Sequence, residues 1–412
     1  MLERKIVIVG AGPVGLTAAL AVRAAGRPVT VVEAGAMDRI RPGSRAIFLH
    51  RFTLQILERI RPGLGHELSG HGLAWSTKCT LYRGREVFRR TYPPPAAHSL
   101  PAATSLPQIV TERVLHAACI DAGVEFIWNS EVTTAITAPG RVRLEGGSGA
   151  IVDARYVIGA DGARSAVRES AGLRLEGPRT SNAFVIVDTA EDQGDPLPLE
   201  RVFHYEHPGA GFRNVLFVPF AGHWRVDLQC NADDDPDAFS GVEGVKQWLP
   251  KVMPAKYADR VTWVSTYVFR QAIANSLVDD TRRILLVGEA AHVFAPFGAR
   301  GLNSGVADAF VAVQAIDAAL RADAEAVPGA EPSAAAMRII DRFAESRRAA
   351  AERNRAASST SLTHLVAHSS ATRLLRRAAA TLAPLIPSAG RWLDAAPYGP
   401  PLGQPDRDGM HY

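Results

Sequence analysis

The stretch that decides the fold is Val7-Ile8-Val9-Gly10-Ala11-Gly12-Pro13-Val14-Gly15, and Glu33 follows a second apolar run. This order predicts a strand over residues 5–9, a helix from 13 to about 25 and a strand over 28–32. Gly10 permits a tight turn, Gly12 lets the backbone approach a pyrophosphate, and Gly15 allows close helix–strand packing. The helix N-terminus would bind the pyrophosphate, and Glu33 a ribose. The motif predicts a dinucleotide site; a glycine-rich turn in an ordinary α/β core is the alternative.

Two later segments repeat this order of strand, glycine with a nearby acid, and helix start. One reads YVIGADGARSAVR over 156–168, and the other reads ILLVGEAAHVFAPFGARGLNSG over 284–305. The three segments together resemble the single-component, FAD-dependent aromatic hydroxylases, the para-hydroxybenzoate hydroxylase type of group A flavoprotein monooxygenase. The resemblance covers roughly residues 1–55, 105–172 and 280–312, and it implies that the cofactor is FAD.

The resemblance implies FAD contacts from all three segments. Glu289 would hold a hydroxyl of the ribityl chain, and backbone N–H groups of the 298–303 turn would face the flavin pyrimidine edge. The family usually has Gly-Asp where this chain has Gly288-Glu289, so the longer side chain requires a re-aimed or water-bridged contact. The expected cofactor-binding residues are Gly10, Gly12, Pro13, Val14, Gly15, Glu33, Arg45, Gln108, Asp161, Gly288, Glu289, Pro296, Gly298, Arg300, Gly301, Leu302 and Asn303.

Individual roles follow from the same resemblance. Arg45 matches an arginine near the FAD phosphates and the nicotinamide entrance, although a solvated loop arginine is the alternative. Gln108 resembles a glutamine that contacts FAD ahead of a helix, and Asp161 matches an acid that helps to bind flavin ribose and pyridine nucleotide. Arg168 either anchors the helix after Asp161 or is a structural salt-bridge partner. His292 is expected to support the flavin loop.

The resemblance implies a reaction in two halves. NAD(P)H binds transiently and reduces FAD, and oxygen then forms a flavin C4a-hydroperoxide that oxygenates an aromatic, olefinic or polyketide-like small molecule. Pro296 would line the site of oxygen addition, and Arg300 would add positive charge beside it. Two alternatives are a flavoprotein reductase or dehydrogenase that inserts no oxygen, and a non-catalytic FAD-binding protein.

The substrate pocket is expected between a β-sheet and the flavin ring, above residues 296–297. A base that makes the phenolate would favour hydroxylation of a phenol, and His204, Tyr205 or His223 would suit that role. The candidate catalytic residues are therefore Pro296, Arg45, His204 and His223. Further candidates to line the pocket are Arg213, Phe217, Trp224, Tyr267 and Phe269.

The predicted fold class is α/β, with a Rossmann-like FAD-binding domain interleaved with an antiparallel substrate domain and followed by a helical C-terminal region. The FAD-binding domain is expected over 1–72, 104–173 and 282–320, and the substrate domain over 73–103 and 174–281. The helical region would occupy 321–412, with helices over 333–358 and 363–380. Proline, glycine and charge predict loose order from 387 onward.

Composition narrows the class of protein further. The chain has 412 residues, 47% hydrophobic and 21% charged, as expected for a globular enzyme with a large core. No apolar stretch is long enough for stable membrane insertion. The three cysteines are far apart in the sequence, so they predict neither a disulfide framework nor a metal site. A location in the reducing cytoplasm is therefore expected. The net charge is +4, and most of the positively charged residues are arginines. No aromatic residues are interleaved with them, so no nucleic-acid binding is expected. Monomer and homodimer are both left open.

Overall fold

The computed structural model describes residues 3–39, 46–147, 149–324, 331–367 and 369–399. The strands are β1 (Glu3–Val9), β2 (Thr30–Val32), β3 (Phe48–His50), β4 (Thr77–Tyr82), β5 (Arg85–Thr91), β6 (Ala103–Ser105), β7 (Glu125–Ile127), β8 (Thr134–Ala138), β9 (Arg141–Gly146), β10 (Gly149–Gly159), β11 (Leu175–Glu176), β12 (Arg179–Ala190), β13 (Glu200–His207), β14 (Arg213–Phe220), β15 (His223–Gln229), β16 (Val261–Arg270), β17 (Ala272–Ala274), β18 (Ile284–Leu286) and β19 (His292–Val293). The helices are α1 (Pro13–Ala24), α2 (Arg51–Ile60), α3 (Leu64–His71), α4 (Gln108–Asp121), α5 (Ala166–Ser170), α6 (Pro236–Ser240), α7 (Val242–Trp248), α8 (Arg300–Ala322), α9 (Ala334–Val366), α10 (Ser370–Leu382) and α11 (Pro387–Ala395).

The first large sheet has a parallel core in the order β7-β2-β1-β10, and β18 adds to β10 in parallel. The first half of β10 instead pairs antiparallel with β9, which pairs with β8. Apolar residues of β1 and β10, such as Ile8 and Ile158, are fully buried in one core with apolar residues of α1, α4 and α8. The predicted α/β class is thereby confirmed.

The second large sheet has the order β16-β12-β15-β14-β13-β4-β5, antiparallel except where β13 meets β4. Its outer face carries Val185 and Val226 and packs on a cluster that includes Trp248 of α7. Its inner face carries Phe184 and Phe269 and packs on the third motif and the C-terminal helices. Side chains alternate between these two faces along each strand, because a strand has a period of two.

The strands of the second sheet come from two separate parts of the chain. Strands β4 and β5 lie within the predicted range 73–103, and β12 to β16 lie within 174–281. Strand β17, although inside the second range, belongs to a small sheet with β11 and β19. Strand β19 is in the third motif, so this small sheet joins the two parts of the fold.

The C-terminal helices differ from expectation at their ends. Helix α9 runs to Val366, past the expected end at 358, and α11 occupies residues that were expected to be loosely ordered. That expectation was wrong for 387–395, because a proline fits the first turn of a helix and Leu393 is fully buried. Among the described residues, no helix is long and apolar enough to cross a membrane.

Candidate flavin site

The first motif forms a tight turn between β1 and α1. Gly10 has φ +104°, and a Cβ there would lie 2.5 Å from the carbonyl oxygen of Ala160. A Cβ on Gly15 would lie 1.9 Å from the carbonyl oxygen of Gly10. Helix α1 starts at Pro13 after Gly12, with neither a side-chain cap nor an acidic residue in its first turn. Its first N–H groups are therefore available to an anion.

Glu33 lies beside this turn at the carboxyl end of β2 and is 8% exposed. It accepts hydrogen bonds from the N–H of Ala11 at 2.6 Å and of Gly35 at 3.0 Å. The Arg39 guanidinium lies 3.7 Å from this carboxylate and donates to the Ala11 carbonyl at 3.0 Å. Sequence reasoning missed Arg39, because no motif marks an arginine in this loop.

The second motif caps its own helix. Asp161 accepts hydrogen bonds from the Ser165 hydroxyl at 2.5 Å and the Val167 N–H at 3.1 Å, and burial raises the pKa of Asp161. Arg168 is buried and donates to the carbonyls of Ala290 at 3.2 Å and Ala163 at 3.1 Å. Arg168 therefore anchors the second motif to the third mainly through backbone carbonyls.

The third motif packs directly on the first. Gly288 has φ +58°, and a Cβ there would lie 3.1 Å from a methyl group of Val14. Gly305 is equally constrained, since its Cβ would lie 2.6 Å from the same side chain. Glu289, the predicted ribityl contact, is exposed. These contacts bring the N-terminal ends of α1 and α8 close together.

Helix α8 begins at Arg300, directly after two residues with positive φ, Gly298 (+76°) and Ala299 (+53°). Its N-terminus has no side-chain cap and no acidic residue in the first turn. A Cβ on Gly301 would meet no atom within 4 Å. The helix end is thus open around Gly301, and its positive dipole end would favour a group with a negative edge, such as a flavin ring.

The Asn303 side chain is fully occupied within the protein. It donates to the carbonyls of Phe48 at 2.9 Å and Ala299 at 2.7 Å. It also accepts from the N–H of His50 at 3.0 Å and the Thr53 hydroxyl at 2.6 Å. Only the backbone of Asn303 is left to face a cofactor.

His50 is a site residue that the sequence did not reveal. Its Nε2 lies 2.9 Å from the carbonyl oxygen of Gly298. Burial, more than the nearby Arg300 and Lys78, lowers the pKa of His50 below its usual value. The neutral imidazole therefore holds the 298 turn in place.

Arg300 and Pro296 take different positions around this loop. The buried Arg300 side chain donates to Asn354 at 3.1 Å and to the carbonyl of Tyr398 at 2.9 Å, so it reaches toward the C-terminal helices. Pro296 is exposed. The ring of the next residue, Phe297, packs 5.6 Å from Phe184, so the loop lies against the inner face of the second sheet.

Gln108, a predicted cofactor-binding residue, is hydrogen-bonded on both sides of its amide. Gln108 accepts a hydrogen bond from the Ala46 N–H at 3.2 Å and donates to Glu112 at 2.8 Å. Arg45 precedes Ala46 and falls outside the described residues. Gln108 therefore fixes the chain next to the predicted arginine.

A buried ionic group supports the Gly288 turn from behind. Asp308, fully buried in α8, accepts from His292 Nε2 at 2.6 Å, Arg347 Nε at 2.8 Å and the Gly288 N–H at 3.2 Å. Burial opposes ionisation of Asp308, but His292 and Arg347 outweigh it and hold its pKa below the usual value. His292 is accordingly placed as a support of the loop.

The structure does not bring the two predicted histidines to the 296–298 loop. His204 lies on the outer face, where its Nε2 accepts from the Gly84 N–H at 2.8 Å. Burial, with a contribution from His207, lowers the pKa of His204 to about 4. His223 pairs with Ala190 at the far end of β12, about 20 Å along the strand from the residues that meet the loop. These positions contradict the prediction that His204 or His223 is the catalytic base.

The other residues predicted to line the pocket divide between the two faces. Tyr205 lies on the inner face, where its hydroxyl donates to the carbonyl of Leu393 at 2.8 Å and lies 3.0 Å from His364 Nε2. Burial raises the pKa of Tyr205. Tyr267 and Phe269 also lie on the inner face, whereas Phe217 and Trp224 lie on the outer face. Arg213 pairs with Asp234.

Comparison with known proteins identifies the family. Residues 3–378 match the family described as the FAD binding domain. The chain is 31% identical over 316 residues, 74% of its length, to 6-methylpretetramide 4-monooxygenase of Streptomyces rimosus, of which 54% is covered. It is 30% identical over 318 residues, again 74% of its length, to 3-(3-hydroxy-phenyl)propionate/3-hydroxycinnamic acid hydroxylase of Mycolicibacterium smegmatis, of which 53% is covered. The chain spans about half the length of these curated relatives.

Solved structures give the fold. The structure of p-nitrophenol 4-monooxygenase from Pseudomonas putida aligns with a TM-score of 0.75 at 24% identity, over 97% of this chain and 100% of that one. A flavin-dependent monooxygenase solved in complex with FAD and substrate aligns with a TM-score of 0.71 at 24% identity, over 89% of this chain and 64% of that one. The chain has the fold of these flavin monooxygenases, and by its sequence it belongs to the FAD-binding-domain family, as the three motifs predicted.

Proposed function

We propose that this protein is an FAD-dependent, NAD(P)H-consuming monooxygenase that inserts one oxygen atom into an aromatic or polyketide-like small molecule. The observation that carries the proposal is the packing of the first motif on the third, where Val14 meets Gly288 and Gly305. This packing brings together two helices whose N-termini have no side-chain caps. The Phe297 ring, next to the exposed Pro296, packs on Phe184 and Phe269 of the second sheet. Its relatives named as hydroxylases and monooxygenases support the same activity.

The cofactor would bind across the first and third motifs. The N-terminus of α1 would hold the diphosphate, and Glu33 and Arg39 would lie beside the adenosine ribose. Glu289 would hold the ribityl chain, and the N-terminus of α8 would stabilise negative charge on the flavin ring. When bound, FAD supplies the redox chemistry, because it accepts the reducing equivalents of NAD(P)H and activates oxygen.

The residues of the chain would then position the substrate and exclude water. Phe184, Phe269 and Phe297 form an aromatic cluster with ring centroids 5.1 to 5.6 Å apart. Such a wall favours a flat apolar substrate. It also keeps solvent from the reacting atoms, which limits wasteful decay of activated oxygen.

The first test is the visible spectrum of the purified protein, followed through anaerobic addition of NADH or NADPH and readmission of air. Bound flavin that bleaches and recovers is expected. Phenols and polyphenols are then screened for faster bleaching, and isotope-labelled oxygen is traced into the product. NAD(P)H oxidation without label in any product would favour a reductase or dehydrogenase, and bound flavin that is never reduced would favour a non-catalytic protein.

A further inference from the structure

A carboxylate lies at the centre of the inner face, beside the residues that meet the 296–298 loop. Asp227 of β15 pairs with Ile186 of β12 and with Leu216 of β14. Ile186 is two residues from Phe184, whose ring packs 5.6 Å from Phe297. Side chains two residues apart on a strand point to the same face of the sheet and lie about 7 Å from each other. Asp227 is therefore one such step from the row of side chains that contacts the loop.

The surroundings of Asp227 leave it short of partners. Its Oδ1 is shielded from solvent and has no hydrogen-bond partner among the described residues. Arg225, on the same strand and face, donates to Asp188 through Nε at 2.9 Å and Nη2 at 3.0 Å. The guanidinium of Arg225 is thus already paired with the carboxylate of Asp188. A buried polar atom without a partner requires an explanation, because such atoms are rare in native proteins.

The electrostatics of the position agree with a group that exchanges a proton. The charged groups facing Asp227 are Arg225 on its own strand and Asp188 on β12, while β14 contributes the apolar Leu216. Burial raises the pKa of Asp227 to about 7; Arg225 opposes the rise and Asp188 adds to it. An acid–base group works best when its pKa lies near the working pH.

We infer that Asp227 is the acceptor for an aromatic hydroxyl group of the substrate. The inference rests on the proposed function. The O–H bond of the phenol breaks, its proton bonds to Oδ1 of Asp227, and the electron pair stays on the phenolate oxygen. Nothing is oxidised or reduced in this step, and the proton returns to the product or to water afterwards. The phenolate ring is richer in electrons and so reacts faster with activated oxygen.

The test compares wild-type holoenzyme with Asp227→Asn, using phenol and the more acidic 4-nitrophenol. The amide keeps the shape but takes up no proton. We expect kcat/KM for phenol to fall about 100-fold or more, whereas 4-nitrophenol at high pH is already ionised and should lose much less. Asp195→Asn, at an exposed position, is the matched control and should leave both values unchanged. Equal losses for the two phenols, or no loss, would overturn the inference.

A binding measurement separates this inference from the proposed function. Phenol and its methyl ether, anisole, are titrated into oxidised holoenzyme and followed by the flavin spectrum, without turnover. Wild type should bind phenol at least about tenfold more tightly than anisole, and Asp227→Asn should lose that preference. A preference that depends on Asp227 supports the inference even if no phenol is oxygenated. If Asp227→Asn holds no FAD, the wild-type preference decides alone, and its absence contradicts the inference.

Discussion

A single added methyl group tests the close approach of β1 and α1. In Gly15→Ala the new Cβ would lie 1.9 Å from the Gly10 carbonyl oxygen, so the turn must open. We expect a large loss of bound FAD and a destabilisation of about 1–3 kcal/mol, measured by the flavin-to-protein ratio and by urea denaturation. Gly70→Ala is the control, because this exposed helical glycine has no atom within 4 Å of an added Cβ. A full flavin content in Gly15→Ala would contradict the packing argument.

Glu289 tests whether the longer acid serves the ribityl chain. Removing one charge-assisted hydrogen bond costs about 1.5–3 kcal/mol, so Glu289→Ala should weaken FAD binding about tenfold or more. Glu289→Asp should bind FAD at least as tightly as wild type, since the family usually has aspartate here. The dissociation constant of the reconstituted apoprotein measures both variants. Equal affinity in wild type and Glu289→Ala would show that this carboxylate does not contact the cofactor.

Asp227 also predicts a pH-dependent change of stability. Its pKa is raised to about 7 in the folded protein from about 4 in the unfolded chain. The folded state therefore binds the proton more tightly, and stability from this group is lost as the pH rises from about 4 through 7. Asp227→Asn carries no charge, so it should be more stable than wild type by about 1–3 kcal/mol at pH 8.5 and nearly equal at pH 4.5.

Thermal or urea denaturation of the apoprotein at the two pH values measures this difference. The exposed Asp195→Asn should show no such dependence on pH. A gain in stability together with a loss of activity is the pattern expected of a strained active-site group. A uniform loss of stability at both pH values would instead indicate that Asp227 is a structural residue.

At the scale of secondary-structure elements, the buried group around Asp308 joins α8, α9 and the Gly288 turn. Arg347→Met removes one partner and leaves Asp308 buried with less compensation. Breaking such a pair costs about 3–5 kcal/mol, and FAD affinity should fall as well because the turn is released. Urea denaturation and FAD titration measure the two effects. Arg342→Met, at an exposed position on the same helix, should change neither, and a similar effect from both variants would contradict the assignment.

At the scale of the whole molecule, the candidate site depends on the meeting of two sheets from interleaved parts of the chain at one loop. Phe297 packs on Phe184 of the second sheet, while Arg300 in the same loop region binds Asn354 of α9. Val14 of α1 packs on Gly288 and Gly305, which flank that loop region in the sequence. A change in any one of these contacts is therefore expected to alter the candidate site without touching a bound molecule.

The sequence by itself determined the three motifs, the first βαβ unit and the family. These features depend on chain geometry within a few residues: the turn at Gly10, the helix start at Pro13 and the strand end at Glu33. Interleaving of the second sheet was also predicted, from strand-like runs in two separate segments of the chain. Such local patterns can be read without knowing which elements pack together.

Only the tertiary structure decided which side chains lie on the sheet face toward the loop. His204 and Asp227 both lie on strands of the second sheet, and a histidine is the more familiar base. Strand parity and register place His204 on the outer face and Asp227 on the inner face, and no motif encodes that difference. His50 and Arg39 entered the site in the same way, through packing between segments distant in sequence. The physical reason is that burial and partners, which set the chemistry of these groups, are properties of the packed chain.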